Sequence, residues 1–174
     1  MRPRYYKQRD QIRCGQIAIF NALKWAGGFV LTAKQALPCL DVLCEYIKPE
    51  GIPHRPLDRA LRFAGRGYFD VRRVYTPKLK EIEKHLRAGG AIIINFRWKG
   101  LVAGEMKDSR HYVLVTDTSP GGKYFGVVNY QTDDPVYHRI HRNAFKSDLL
   151  RFRQPPFKGW FLTRTSGEKS PPKK

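Results

Sequence analysis

The hydrophobic pattern of this chain changes its period once, at Gly89-Gly90. Before that point, apolar residues recur three and four positions apart, which is typical of helices that pack on a core. After it, they form short apolar runs rich in β-branched residues, which are typical of buried strands. Helices followed by an antiparallel sheet predict an α+β fold. We expect helices at 14–26, 32–46 (interrupted or restarted at Pro38), 56–64 and 77–87, and strands at 91–96, 111–117, 125–131 and 159–165.

The length of 174 residues fits one domain with its own hydrophobic core. We expect that domain to span residues 1–165, because residues 166–174 are polar and basic and are typical of a disordered tail. The chain shows no signal peptide and no apolar run near the roughly 20 residues of a membrane span. It is therefore expected to be soluble and cytoplasmic, and its three cysteines leave at least one thiol free.

The charge of the chain is strongly unbalanced. Thirty-three Lys and Arg residues face 15 Asp and Glu residues, which gives a net charge of +18. Such a charge attracts polyanions, so nucleic acid or another polyanion is an expected partner, including inside a virus particle or nucleoprotein assembly. The alternative is that the charge only keeps the protein in solution.

Cys14 is the first candidate for chemistry, because it stands at the expected start of a helix and precedes Gly15. A helix N-terminus carries partial positive charge and unpaired N–H groups, which favour a thiolate and can also hold an oxyanion. Arg13 adds a further positive charge beside the thiol. The alternative interpretation is a buried structural cysteine, which is the commoner fate of a lone cysteine.

A thiolate nucleophile needs a base, and the base needs a group that orients it. His111 opens an expected strand, and Asn129 lies on the strand that follows. If the hairpin is centred near Pro120, Val115 lies opposite Phe125 and His111 lies opposite Asn129. Opposed residues have Cβ atoms roughly 5 Å apart, so the Asn129 amide could orient the imidazole. This inference depends on the register, because a slip of one residue reverses the faces.

The remaining cysteines and histidines give weaker signals. Cys39 and Cys44 are five residues apart in an apolar stretch, so we expect core packing rather than a zinc site. His138 and His141 stand in a basic segment without a second pair of ligands nearby. No metal or cofactor is therefore expected.

Taken together, the order and spacing of these motifs resemble the papain-like cysteine peptidases that process bacteriocin precursors after a double-glycine leader. The resemblance begins with Gln8, five further residues and Cys14-Gly15, and continues with the apolar strand after Gly89-Gly90. It also covers the run His111–Val115 and the strand that ends in Asn129, and spans about residues 5–165. The chain departs from the family pattern at Arg13, where an acidic residue is frequent, and at Asn129, where Asp is frequent.

The resemblance implies a stand-alone peptidase that acts on a peptide or protein through a Cys14-His111-Asn129 triad. It also implies that the Gln8 side chain helps to form the oxyanion hole, with Gln11 as a competing candidate. A carboxylate could accept the same hydrogen bond from the imidazole, so Asn129→Asp should be tolerated. The alternatives are another thiol acyl-transfer enzyme, such as a deubiquitinase-like one, and an inactive papain-fold module that binds nucleic acid.

Overall fold

The structure is a computed structural model that describes residues 3–8, 13–27, 31–44, 54–102, 105–130, 136–150 and 159–165. The expected tail and Gln11 lie outside these residues. In the described part, the order of elements follows the expected change from helices to strands, with additional elements. The helices are α1 (Cys14–Ala26), α2 (Ala33–Leu43), α3 (His54–Ala64), α4 (Leu79–Arg87) and α5 (Arg142–Leu150). The strands are β1 (Phe69–Val74), β2 (Ala91–Val102), β3 (Glu105–Thr118), β4 (Tyr124–Val128), β5 (Tyr137–His141) and β6 (Gly159–Arg164).

The end of α1 and the beginning of α2 lie at residues that favour them. α1 ends at Gly27, whose left-handed conformation (φ 90°) is readily adopted by glycine. α2 begins with a capping box, in which Thr32 and Gln35 exchange side-chain and backbone contacts. It then runs through Pro38 without the expected interruption, although a proline inside a helix removes one backbone hydrogen bond.

The six strands form one antiparallel sheet in the order β1-β6-β2-β3-β4-β5. The two edge strands, β1 and β5, and the helix α5 were not expected from the sequence. Both edge strands carry arginine and lack the long apolar run of a central strand, as exposed sheet edges commonly do. The expected α+β class is confirmed.

Helices cover both faces of the sheet. Cys14, Ala18 and other residues of α1–α3 pack with Tyr112 and Leu114 of β3 in one buried cluster. α4 and α5 pack on the other face, where Ile82 and Phe145 contact the strands in a second cluster. The N-terminus of α1 therefore lies on the Tyr112 side of the sheet.

The pairing of β3 with β4 differs from the register expected from the sequence. Val115 lies opposite Val127 rather than Phe125, and the ladder is irregular between Val115 and Asp117. β4 ends at Val128, so Asn129 has no partner in this ladder. The shift of two residues keeps each side chain on the expected face but removes the expected opposition of His111 and Asn129.

Candidate active site

Cys14 is the first residue of α1 and is only 4% exposed. The charge of Arg13, which precedes it, is partly balanced by Asp41 of α2, because the Arg13 Nε lies 3.1 Å from a carboxylate oxygen of Asp41. Gln16, one turn into α1, donates to the same carboxylate at 3.1 Å. These bonds fix the first turn of α1 against α2, and they reduce the cationic influence of Arg13 on the thiol.

The His111 imidazole is buried, with 7% of the residue exposed. Its Nε2 atom lies 2.7 Å from the backbone carbonyl oxygen of Asn129. A carbonyl oxygen can only accept, so Nε2 carries the proton in the neutral ring and Nδ1 carries the lone pair. Burial lowers the pKa of His111, against the opposing effect of the bond to Asn129. The neutral imidazole, which is the form that accepts a proton, is therefore favoured.

Asn129 has a left-handed backbone conformation with φ of 55°, which Asn tolerates better than most residues. Its side chain does not form the expected hydrogen bond to the imidazole. The Oδ1 atom accepts from the backbone N–H of Gln8 at 3.2 Å, and the Nδ2 atom donates to the backbone carbonyl of Tyr6 at 2.9 Å. Asn129 thus holds His111 through its backbone and the N-terminal segment through its side chain.

A second buried amide holds the same N-terminal segment. Asn21, in the middle of α1, accepts from the Tyr6 N–H at 2.7 Å and donates to the Tyr6 carbonyl at 3.0 Å. The Tyr6 ring also packs edge-on against Phe20. Asn21 was not singled out from the sequence, although a buried polar amide within a mostly apolar helix is a usable signal. The segment 3–8 is therefore fixed between α1 and the end of β4, with Gln8 2% exposed.

These hydrogen bonds connect His111, Asn129 and Gln8 directly, and they reach the helix of Cys14 through Asn21. Strand alternation places His111 on the face of Val113, whereas α1 packs on the face of Leu114. The last pair of β3 with β4 is Leu114–Val128, so His111 lies where β3 has passed the end of β4.

The other two cysteines, Cys39 and Cys44, differ in their exposure to solvent. Cys39, expected in the core, is exposed, because it lies on the outer face of α2. Cys44 is buried as expected, and burial, with a contribution from Asp41, raises the pKa of its thiol to about 12. Cys39 is therefore the accessible competitor of Cys14 in any labelling experiment.

His85 is partly buried in a packing role. Its Nε2 lies 3.0 Å from the Leu162 carbonyl and 3.2 Å from the Ala91 carbonyl, and its ring packs on Phe161.

Comparison with known proteins gives information about the fold. No protein-family model matches the sequence, and no curated protein matches it significantly. The structure is similar to the crystal structure of a Bacillus anthracis protein provisionally named a C39-like peptidase. The TM-score is 0.65 at 12% sequence identity, and the match covers 92% of this chain and 94% of the other. At this identity the likeness establishes a shared fold and not a shared activity.

In the described part of the chain, no helix is long and apolar enough to cross a bilayer.

Proposed function

We propose that this protein is a cysteine peptidase in which Cys14 is the nucleophile and His111 is the general base. The observation that carries the proposal is the 2.7 Å contact of His111 Nε2 with the Asn129 carbonyl, in a chain with the fold of a C39-like peptidase. This contact leaves the basic lone pair on Nδ1. The position of Cys14 at the N-terminus of α1 supports the role of nucleophile, because the helix dipole favours a thiolate there.

The proposed reaction has two steps. Nδ1 of His111 accepts the thiol proton, and the sulfur attacks the scissile carbonyl carbon to form a tetrahedral oxyanion. When that intermediate collapses, the C–N bond breaks, the imidazolium gives its proton to the leaving amine, and a thioester remains on Cys14. Water then attacks the thioester with His111 as the base, which releases the acid and restores the thiol.

The oxyanion would be held by the backbone N–H of Cys14 and the side-chain amide of Gln8. Asn129 and Asn21 support this role, because together they fix the backbone on either side of Lys7. A donor whose backbone is already fixed costs little reorganisation when charge develops on the oxygen. Asn129 would thus position two functional groups, the base through its carbonyl and the oxyanion donor through its side chain.

The substrate class is peptides or proteins, and the test is the digestion of a peptide library followed by mass spectrometry of the new termini. We expect cleavage by the wild-type protein, none by Cys14→Ala and almost none by His111→Ala. Cys39→Ser is the matched control, because Cys39 is an exposed thiol on a different helix, and it should cleave like the wild type. Products capped by an added amine without any free acid would indicate acyl transfer instead. Equal cleavage by Cys14→Ala would exclude the proposed nucleophile.

A further inference from the structure

The outward face of α3 has an unusual composition. Between residues 55 and 66, five side chains are exposed, and four of them are arginines: Arg55, Arg59, Arg62 and Arg66. Spacings of four, three and four residues put these arginines on one face of the helix and the turn that follows it. At about 1.5 Å per residue, this arginine stripe is roughly 16 Å long.

The acidic residue of α3, Asp58, is buried rather than exposed on this face. Asp58 is 7% exposed, and its carboxylate accepts from Trp160 Nε1 at 2.7 Å. It also pairs with Arg73 of β1 at 2.6 Å and with Arg62 at 3.2 Å. Burial by itself would raise the pKa of Asp58, but the hydrogen bonds from these three partners outweigh it and lower the pKa. The carboxylate therefore fixes α3 to the sheet, and the outward face carries no acidic residue.

The exposed face of α4, by contrast, carries charges of both signs. Lys80, Lys84 and Arg87 are exposed with the same four- and three-residue spacing, but Glu81 is exposed among them. Mixed charges of this kind are typical of a solvent-exposed helix face without a binding role. The uninterrupted positive charge of the arginine stripe is thus a local property, and not simply the average of a basic protein.

Two exposed aromatic side chains adjoin the stripe. Phe63 is 68% exposed and lies one turn from both Arg59 and Arg66. Tyr75 is 51% exposed, and its hydroxyl lies 3.5 Å from Arg73, which itself pairs with Asp58 of α3. Exposed aromatic rings beside arginines are the combination with which proteins bind single strands, because bases stack on the rings while phosphates bind the cations.

We propose that the arginine stripe, together with Phe63 and Tyr75, binds single-stranded nucleic acid without sequence preference. The charge complementarity comes from Arg55, Arg59 and Arg66, while Arg62 also fixes the helix through the Val71 carbonyl at 2.9 Å. A duplex offers phosphates but keeps its bases stacked, so it leaves the exposed rings unused. The single strand uses both features of the surface.

The test is fluorescence anisotropy with a labelled oligodeoxythymidine of about 12 nucleotides, a length within the range bound by comparable surfaces. The triple variant Arg55→Ala/Arg59→Ala/Arg66→Ala should raise the Kd at least about 10-fold at roughly 50 mM salt. Loss of three phosphate contacts should also reduce the slope of log K against log salt by about 2. The matched control is Lys80→Ala/Lys84→Ala/Arg87→Ala, which removes the same number of positive charges from the exposed face of α4 and should change the Kd less than about 3-fold.

Stacking is tested separately from charge. Phe63→Ala should raise the Kd about 5-fold or more and leave the salt slope unchanged, because no phosphate contact is lost. Equal losses for the two triple variants, or no binding by the wild type at roughly 50 mM salt, would overturn the proposal. So would tighter binding of phosphatidylserine vesicles or polyglutamate than of the oligonucleotide, since the surface would then serve a membrane or an acidic protein. The surface does not depend on the proposed peptidase activity, so Cys14→Ala should bind the oligonucleotide like the wild type.

Discussion

The variant Asn129→Asp distinguishes two explanations of how Asn129 acts in the candidate site. If the side chain accepted a hydrogen bond from His111, as the sequence suggests, a carboxylate would serve equally well or better. In the structure, the Asn129 Nδ2 instead donates to the Tyr6 carbonyl at 2.9 Å, while Oδ1 accepts from the Gln8 N–H at 3.2 Å. Both partners are backbone groups, so neither can change its role. A carboxylate at position 129 can still accept from the Gln8 N–H, but it cannot donate to the Tyr6 carbonyl, where two acceptors would then face each other.

The magnitude follows from these two contacts. A buried acceptor that faces another acceptor costs about 1–3 kcal/mol, so Asn129→Asp should lower the free energy of unfolding by that amount at pH 7. Asn129→Gly removes both side-chain bonds, keeps the carbonyl that holds His111, and accepts a φ of 55° without strain. It should cost about 2 kcal/mol, at about 1 kcal/mol for each lost bond.

The sign of the pH dependence makes the test decisive. Burial beside an acceptor should raise the pKa of the introduced carboxyl in the folded state above its value in the unfolded chain. At pH values between these two pKa values, the folded state therefore binds more protons than the unfolded chain. The deficit relative to wild type should then grow as the pH rises from about 4 to 7, because a protonated carboxyl can still donate to Tyr6. The assay is urea unfolding of wild type, Asn129→Asp, Asn129→Gly and the control Asn143→Asp, which adds the same charge at an exposed position. An Asn129→Asp protein as stable as the wild type at pH 7, or a deficit that shrinks with rising pH, would refute the reasoning.

Two further predictions concern the same site. Gln8→Ala should lower peptide turnover roughly 100- to 1,000-fold, the usual effect of losing one oxyanion donor, whereas a comparable loss in Gln11→Ala and none in Gln8→Ala would contradict the assignment. The pKa of His111 is lowered by burial, so below pH of about 6.5 the unfolded chain binds more protons than the folded one. The free energy of unfolding should therefore fall from pH 7 to 5, and His111→Gln should weaken this fall; His85, whose pKa burial also lowers, should account for part of the remainder. An unchanged pH dependence in His111→Gln would show that this imidazole titrates normally.

The parts of the fold that the sequence predicted are those with strong periodicity and strong end signals. α1, for example, begins at Cys14 and ends at Gly27 as its residues indicate. The edge strand β5 was not predicted, because Tyr137–His141 is too polar to show the pattern of a buried strand. The predicted register of β3 with β4 was also wrong, because no residue type in the sequence marks the irregularity between Val115 and Asp117.

The site was predictable in its residue types but not in its contacts. The sequence singled out His111 and Asn129, and the structure links them. It could not show that the link uses the Asn129 carbonyl, because a left-handed residue after a strand redirects both its carbonyl and its side chain. The part played by Asn21 was hidden for a related reason, since its partner is the backbone of Tyr6, and backbone groups are the same at every position.

The rate of Cys14 alkylation tests the central claim most directly. The measurement uses iodoacetamide on a Cys39→Ser background, because Cys39 is exposed and would otherwise react, while the raised pKa of Cys44 keeps that buried thiol unreactive. At pH about 6, where an ordinary thiol of pKa about 8.5 is almost fully protonated, Cys14 should react at least about 10-fold faster than free cysteine. His111→Ala should remove most of that advantage. Labelling of Cys14 no faster than free cysteine, with no effect of His111→Ala, would contradict the account that an imidazole activates this thiol.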